Sequence, residues 1–198
     1  MTLLGLLSLP LLAQKSGYQI GDEAMGFKLQ NVDGSSVSLD DPEYSKGAIV
    51  IFTCNTCPYA VAYQDRMIAL HEKYASKGYP VIAINPNDAA RSPGDSFEEM
   101  KKRAAEKDFP YPYVYDQTQE VIKAYGGRRT PHVYLLNKEN GKYIVKYIGA
   151  IDNNYQDASA VTQHYVEDAV DAVIQGENVA LETTKAIGCT IKWGKKGE

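Results

Sequence analysis

The stretch that most constrains this 198-residue chain is a continuous apolar run, residues 48–53, that leads directly into Cys54-Asn-Thr-Cys57-Pro58. Such a run, with no polar alternation, predicts a strand covered on both faces. The residues after it, 58–77, set Ala60, Tyr63, Met67, Leu70 and Tyr74 on one helical stripe, with Gly78 as the stop. A doubly covered strand followed by an amphipathic helix implies a sheet with helices packed on it. The two cysteines fall at the junction.

The rest of the chain fits that plan. Residues 27–30 and 37–39 read as a small hairpin turning at Asp33-Gly34, and residues 81–84 as a second buried strand. Asn85-Pro-Asn-Asp88 through Ser92-Pro-Gly94 is rich in turn residues. Ser96 and Glu99 form a capping-box pattern for a helix that carries Phe97, Met100 and Ala104 inward and stops before Pro110. Residues 113–115 predict a short strand, with Tyr113 and Tyr115 in it and Tyr111 just before it serving packing, and residues 118–125 a short helix. Residues 132–137 and 142–148 flank Asn140-Gly141, a strong hairpin signal. Residues 157–175 predict a last helix. The expected class is therefore α/β, with a mixed central β-sheet flanked by helices and an N-terminal β-hairpin extension. One domain spans 17–175, and a tail, 176–198, packs on it.

Apolar residues make up 44% and charged residues 23%, which excludes a disordered chain and a polytopic membrane protein. The 21 basic and 25 acidic residues give a net charge of −4, so the basic surplus of a nucleic-acid binder is missing. Residues 1–13 are mostly apolar, too few to span a bilayer, and suit a signal peptide cleaved after Ala13. Export to the periplasm or another extracytoplasmic space follows, with no stable membrane insertion after processing. If the segment is instead an apolar arm, the chain is cytoplasmic.

Three cysteines are present, Cys54, Cys57 and Cys189, and a domain of this size needs no disulfide framework to fold. Cysteines three apart on a first helical turn share a face, close enough to make and break a disulfide. The free N–H groups of a helix start lower a nearby thiol pKa. Cys54, at or near the N-cap, is expected to be the exposed attacking thiolate, and Cys57, one turn deeper, the shielded resolving thiol. A structural disulfide, a metal site and two unrelated buried thiols are the competing readings. A four-residue loop constrains the unfolded chain little, and His71, His132, His164 and Cys189 show no paired ligand spacing, so no metal is expected. Thr130-Pro131 before the apolar strand supports redox chemistry, since a cis proline there would turn the backbone beside the dithiol. His132 either faces the dithiol or enters the core. Cys189 is a possible second resolving thiol.

The strand–CxxC–helix unit, the Thr-Pro before a strand and the closing hairpin and helix resemble the thioredoxin fold. More narrowly, Cys54-Asn-Thr-Cys-Pro-Tyr-Ala60, Asn85-Pro-Asn-Asp88, Thr130-Pro-His-Val133 and Gly188-Cys-Thr-Ile-Lys-Trp193 resemble bacterial redoxin-domain proteins. These are a peroxiredoxin-like branch related to the alkyl hydroperoxide reductase/thiol-specific antioxidant group. The resemblance implies a cis Pro131 that, with Thr130, shapes a groove for a substrate thiol. It also implies a thiol–disulfide oxidoreductase whose redox-active group is a Cys54–Cys57 disulfide, with no other cofactor. Its partner is a thiol- or disulfide-containing protein or reductant. A peroxidase with Cys57 as peroxidatic cysteine is the alternative, and a Cu(I)-binding module a further one. In the peroxidase alignment Cys54 replaces the usual threonine, Val50 the upstream proline, and Arg128 and Arg129 sit out of step. Ala48 stands where many thioredoxins carry a buried acid, so another part of the chain would have to supply one.

Overall fold

The computed structural model describes residues 17–195. The apolar segment 1–13 lies outside the described residues. The N-terminal hairpin pairs β1 (Lys28–Asn31) with β2 (Ser36–Ser38), and Gly34 takes the left-handed conformation its turn requires. Strand β3 (Gly47–Phe52) is buried along its whole length and leads to α1 (Pro58–Ala62) and α2 (Gln64–Tyr74). Then come β4 (Val81–Asn85), α3 (Phe97–Glu106), β5 (Tyr113–Tyr115), α4 (Glu120–Tyr125) and β6 (Arg129–Thr130). The chain continues through β7 (His132–Glu139), β8 (Lys142–Gly149), α5 (Tyr165–Gln175) and β9 (Cys189–Thr190).

Seven strands form one mixed sheet in the order β2-β1-β5-β4-β3-β7-β8, and β6 and β9 form a separate two-stranded ladder. The parallel pairs β3–β4 and β4–β5 lie at the centre, while β7 runs antiparallel to β3. Alternate residues of the strands divide the core. Ile49, Ile51, Ala83, Val133 and Leu135 meet α2, α3 and α5 through Met67, Leu70, Met100 and Val170. Val50, Phe52, Ile82, Ile84 and Tyr134 meet α4 and the N-terminal hairpin through Ile122, Tyr125 and Val37. Each fully buried large side chain stabilises the fold by roughly 1.5–3 kcal/mol, which is why the uninterrupted apolar run dictates a central strand.

Three sequence expectations need correction. The single helix over 58–77 is divided at Tyr63, whose amide bonds the Ala60 carbonyl three residues back at 3.2 Å and tightens the turn. The last helix starts at Tyr165, not at 157. Asp157 bonds the Ser159 amide, and the Asn153 side chain accepts from the amides of Thr162 and Gln163, which holds that segment as a 3₁₀ turn (Ala158–Ala160) and loop. The capping box is not made: Ser96 is the N-cap of α3 without a side-chain cap bond, and Glu99 pairs with Lys102 instead. The hairpin at Asn140-Gly141 forms with both residues at positive φ.

The tail beyond α5 runs back over the domain. The Thr184 amide donates to the Ile148 carbonyl, Ile191 is buried, and the amide and carbonyl of Lys192 bond Asn87 and Asp88. Cys189 is thereby paired with Thr130 in antiparallel register.

Candidate active site

The site forms where β3 and β4 end side by side. The Thr53 amide donates to the Ile84 carbonyl at 2.8 Å, so the CxxC loop and the turn-rich segment after β4 leave the sheet together. That segment supplies Asp95, fully buried, which sequence reasoning did not single out. Asp95 Oδ1 accepts from the amides of Asn55 (2.7 Å) and Thr56 (3.1 Å). Its Oδ2 accepts from Thr56 Oγ1 (2.8 Å), Ser92 Oγ (2.6 Å) and Asn87 Nδ2 (2.8 Å). Asn55 is pinned further by Nδ2 to the Gly94 carbonyl at 3.0 Å and by accepting from Tyr113 Oη at 3.0 Å. The two residues between the cysteines are therefore fixed by a carboxylate from another loop. The cue in the sequence is the Asn85-Pro-Asn-Asp88 and Ser92-Pro-Gly94 turns, but their spacing to Cys54 is not periodic and gives no contact.

Cys54 and Cys57 are both 2% exposed and unpaired. The helix begins at Pro58 with Cys57 as its N-cap, at φ −76° and ψ 120°. This corrects the expectation that Cys54 is the exposed residue at the helix start. Cys57 Sγ receives the Cys189 amide at 3.4 Å. Hydrogen bonds from the Cys54 thiol, the Cys189 side chain and the amides of Ala60 and Cys189 pull the Cys57 pKa down, against the cost of burial. The Thr130 carbonyl, 3.1 Å from Cys57 Sγ, opposes that shift and accepts from the thiol when it is protonated. Several donors against one acceptor decide the balance in favour of a thiolate at Cys57. Cys54 moves the other way: its bond to Cys57, burial and the nearby Asp95 charge all raise its pKa. Its Sγ lies 3.2 Å from Thr130 Oγ1.

Thr130 thus touches both sulfurs, and the Thr130–Pro131 peptide is cis. Beside Pro131 lies a cavity of about 190 Å³, also lined by Tyr63, Tyr155 and Ile187. Cys189 packs against the Cys54–Cys57–Ala60 cluster, and burial and its contact with Cys57 raise its pKa to about 11. Arg129 donates to the Gly188 carbonyl at 2.8 Å, so it holds the tail and is not directed at a sulfur. Among the described residues no group of three His, Cys, Asp or Glu side chains is placed to hold a metal ion.

His132 stands apart from the sulfurs. Strand alternation sends it, with Phe52 opposite in register, to the face occupied by Tyr134 and Ile122. Its Nδ1 is buried without a hydrogen-bond partner, and burial lowers its pKa to about 4. The unfolded chain, with an ordinary histidine pKa near 6.5, binds the proton that the folded chain refuses between those values. Full stability is present above about pH 6.5 and falls as pH drops toward 4, by up to about 3 kcal/mol from this residue. Urea denaturation at pH 7 and pH 4.5 is expected to show a smaller loss in His132→Leu than in the wild type. Equal losses would remove His132 from this role.

Fold, paired thiols and cis-proline loop define a thioredoxin-like redox domain. The AhpC/TSA family profile matches residues 20–152, and the chain belongs to the AhpC/TSA family. The protein named thiol-disulfide oxidoreductase ResA from Halalkalibacterium halodurans is 29% identical over 139 residues, 70% of this chain and 74% of that one. A crystal structure described as an uncharacterized conserved protein from Geobacillus kaustophilus superposes with TM-score 0.83 at 37% identity, covering 90% of this chain and 94% of that one. A putative thiol:disulfide interchange protein DsbE from Chlorobium tepidum superposes with TM-score 0.53 at 25% identity, over 64% of this chain and 82% of that one.

Proposed function

We infer that this chain is a thiol–disulfide oxidoreductase that acts through Cys54 and Cys57 on thiol-containing proteins. The observation that carries the residue assignment is the opposed environment of the two sulfurs: donors converge on Cys57, while the hydrogen bond to Cys57, burial and the nearby Asp95 charge keep the proton on Cys54. The Cys57 thiolate attacks a partner disulfide; a bond forms from Cys57 Sγ to one partner sulfur, and the other partner sulfur leaves as a thiolate. Cys54 then attacks Cys57 Sγ. The Cys54–Cys57 bond forms, the bond from Cys57 Sγ to the partner sulfur it holds breaks, and the Cys54 proton passes to that departing thiolate. The partner is reduced by two electrons and the dithiol oxidised by two, with no cofactor beyond the sulfurs themselves. Reversal of the same steps oxidises a partner dithiol.

The cavity beside Pro131 supports recognition of a partner side chain next to its cysteine, with exposed Ile187 on the rim. Export of the chain through segment 1–13 is part of this reading, as is action in an oxidising extracytoplasmic compartment. Among the described residues no helix is long and apolar enough to cross a membrane.

The test is catalysed reduction of insulin disulfides by the wild type under dithiothreitol, run beside hydrogen peroxide consumption. Insulin reduction well above the uncatalysed rate, with slow peroxide consumption, is the expected outcome. Peroxide consumption that survives in Cys54→Ser and disappears in Cys57→Ser would transfer the assignment to an antioxidant peroxidase.

A further inference from the structure

Cys189 lies 132 positions along the chain from Cys57, yet its amide points at Cys57 Sγ at 3.4 Å. Several independent contacts hold it there. The ladder between β6 and β9 sets Thr130 opposite Cys189 and Arg129 opposite Thr190. The Arg129 guanidinium clamps the Gly188 carbonyl. Gly188 itself presses so closely on the Thr130 carbonyl that an added Cβ would lie 2.0 Å from that oxygen. On the other side Ile191 is buried, and Lys192 bonds Asn87 through its amide at 2.9 Å and Gln119 through its carbonyl at 3.0 Å. A tail fastened on both sides of one residue delivers that residue's side chain to a fixed place, in this case the cluster formed by Cys54, Cys57 and Ala60. The tail also occupies the backbone edge of β6, the edge nearest the dithiol to which an extended cysteine-bearing segment could add by strand pairing.

We propose, resting on the dithiol reading above, that Cys189 is a third redox thiol that forms a disulfide with Cys57, so the site carries two alternative internal disulfides. Starting from the Cys54–Cys57 disulfide, the Cys189 sulfur, once deprotonated, attacks Cys57 Sγ. The Cys57–Cys189 bond forms, the Cys54–Cys57 bond breaks, and Cys54 leaves as a thiolate that takes up the proton given up by Cys189. No electrons enter or leave. In the second state the tail is covalently fixed over the β6 edge, and Cys54 is a thiol again. The raised pKa of Cys189 keeps its thiol protonated near neutral pH, so the exchange gains ground as pH rises toward 11.

The experiment oxidises the full-length reduced chain with oxidised glutathione, alkylates residual thiols with iodoacetamide and maps non-reduced tryptic peptides by mass spectrometry. In Cys54→Ser, glutathione first joins Cys57 and Cys189 then displaces it. The expected major product is peptide 47–66 joined to peptide 186–192. A Cys54→Ser protein that keeps glutathione on Cys57 while Cys189 is alkylated overturns the proposal. Should that variant not fold, the wild type decides: the joined peptide is expected to appear in a glutathione titration and to be missing in Cys189→Ser. Its absence from the wild type at every ratio also overturns the proposal. A wild type that forms the link but fails to reduce insulin would sink the oxidoreductase reading and leave the tail disulfide standing.

Discussion

Cys57→Ser is expected to lose insulin-reducing activity by on the order of 10³-fold or more, because a serine hydroxyl cannot supply the thiolate nucleophile. Cys54→Ser is expected to behave differently. It keeps the attacking sulfur with its donors from Cys189 and Ala60, so the first exchange proceeds and return through Cys54 fails, leaving Cys189 as the one internal thiol that can release the partner. The double variant Cys54→Ser/Cys189→Ser, which retains Cys57 alone, should accumulate a stable mixed disulfide with a partner, visible as a reducible mass shift. The thiolate assignment has a second readout. In the reduced wild type, iodoacetamide should label Cys57 well below pH 7, whereas Cys54 resists until much higher pH, since the two pKa values are displaced in opposite directions. Preferential labelling of Cys54 at low pH, with retained activity in Cys57→Ser, would reverse the roles of the two sulfurs.

The second large effect is expected at Asp95. Asp95→Ala leaves the Asn55 and Thr56 amides and the Asn87 side chain without their acceptor, in places water does not reach freely. Stranding a buried donor costs about 1–3 kcal/mol. Partial relaxation of the loop keeps the total at roughly 3–5 kcal/mol, a fall in Tm of about 10 °C for a chain of this size. Asp95→Asn separates charge from shape. It removes the negative charge that raises the Cys54 pKa and keeps the volume, so iodoacetamide labelling of Cys54 should shift to lower pH even where the fold survives. An unchanged melting temperature in Asp95→Ala, together with an unchanged labelling profile in Asp95→Asn, would remove Asp95 from both roles.

The peroxidase alternative loses support at particular atoms. Arg129, next to Thr130 in the chain, is anchored by its guanidinium on the Gly188 carbonyl. Thr56 and Asn55, whose amides could otherwise stabilise a departing oxygen near Cys57, give them to Asp95. Around Cys57 stand two further sulfurs, the amides of Ala60 and Cys189 and the proline loop, an arrangement suited to exchange between sulfurs.

Much of the fold is legible in the sequence because its signals are local. The apolar run of β3, the stripe through Met67 and Leu70 and the Asn140-Gly141 turn each carry their geometry within a few residues. The departures are of two kinds. At Tyr63 and over 157–164 the helix gives way to tighter turns and loop, in the second case because side-chain bonds between loop residues, such as those of Asn153, override helical propensity. The helix starts at Pro58, where the periodicity of 58–77 puts it, but its N-cap is Cys57 and not Cys54, because an N-cap is set by backbone geometry at a single residue.

By itself the sequence determined that a thiol pair would stand at a strand–helix junction of a mixed α/β sheet, since hydrophobic periodicity and three-residue spacing are properties of neighbouring positions. It also marked Thr130-Pro131 as part of that site. Only the tertiary structure gave the two sulfurs opposed surroundings, placed the buried Asp95 carboxylate under the CxxC loop, turned His132 away from the sulfurs and brought Cys189 to them. Each of those outcomes depends on a contact between distant segments: where β4 ends beside β3, which face of β7 a residue takes, and where the tail pairs with β6. A pKa is set by the donors, charges and burial that such contacts assemble, and no spacing along the chain encodes them.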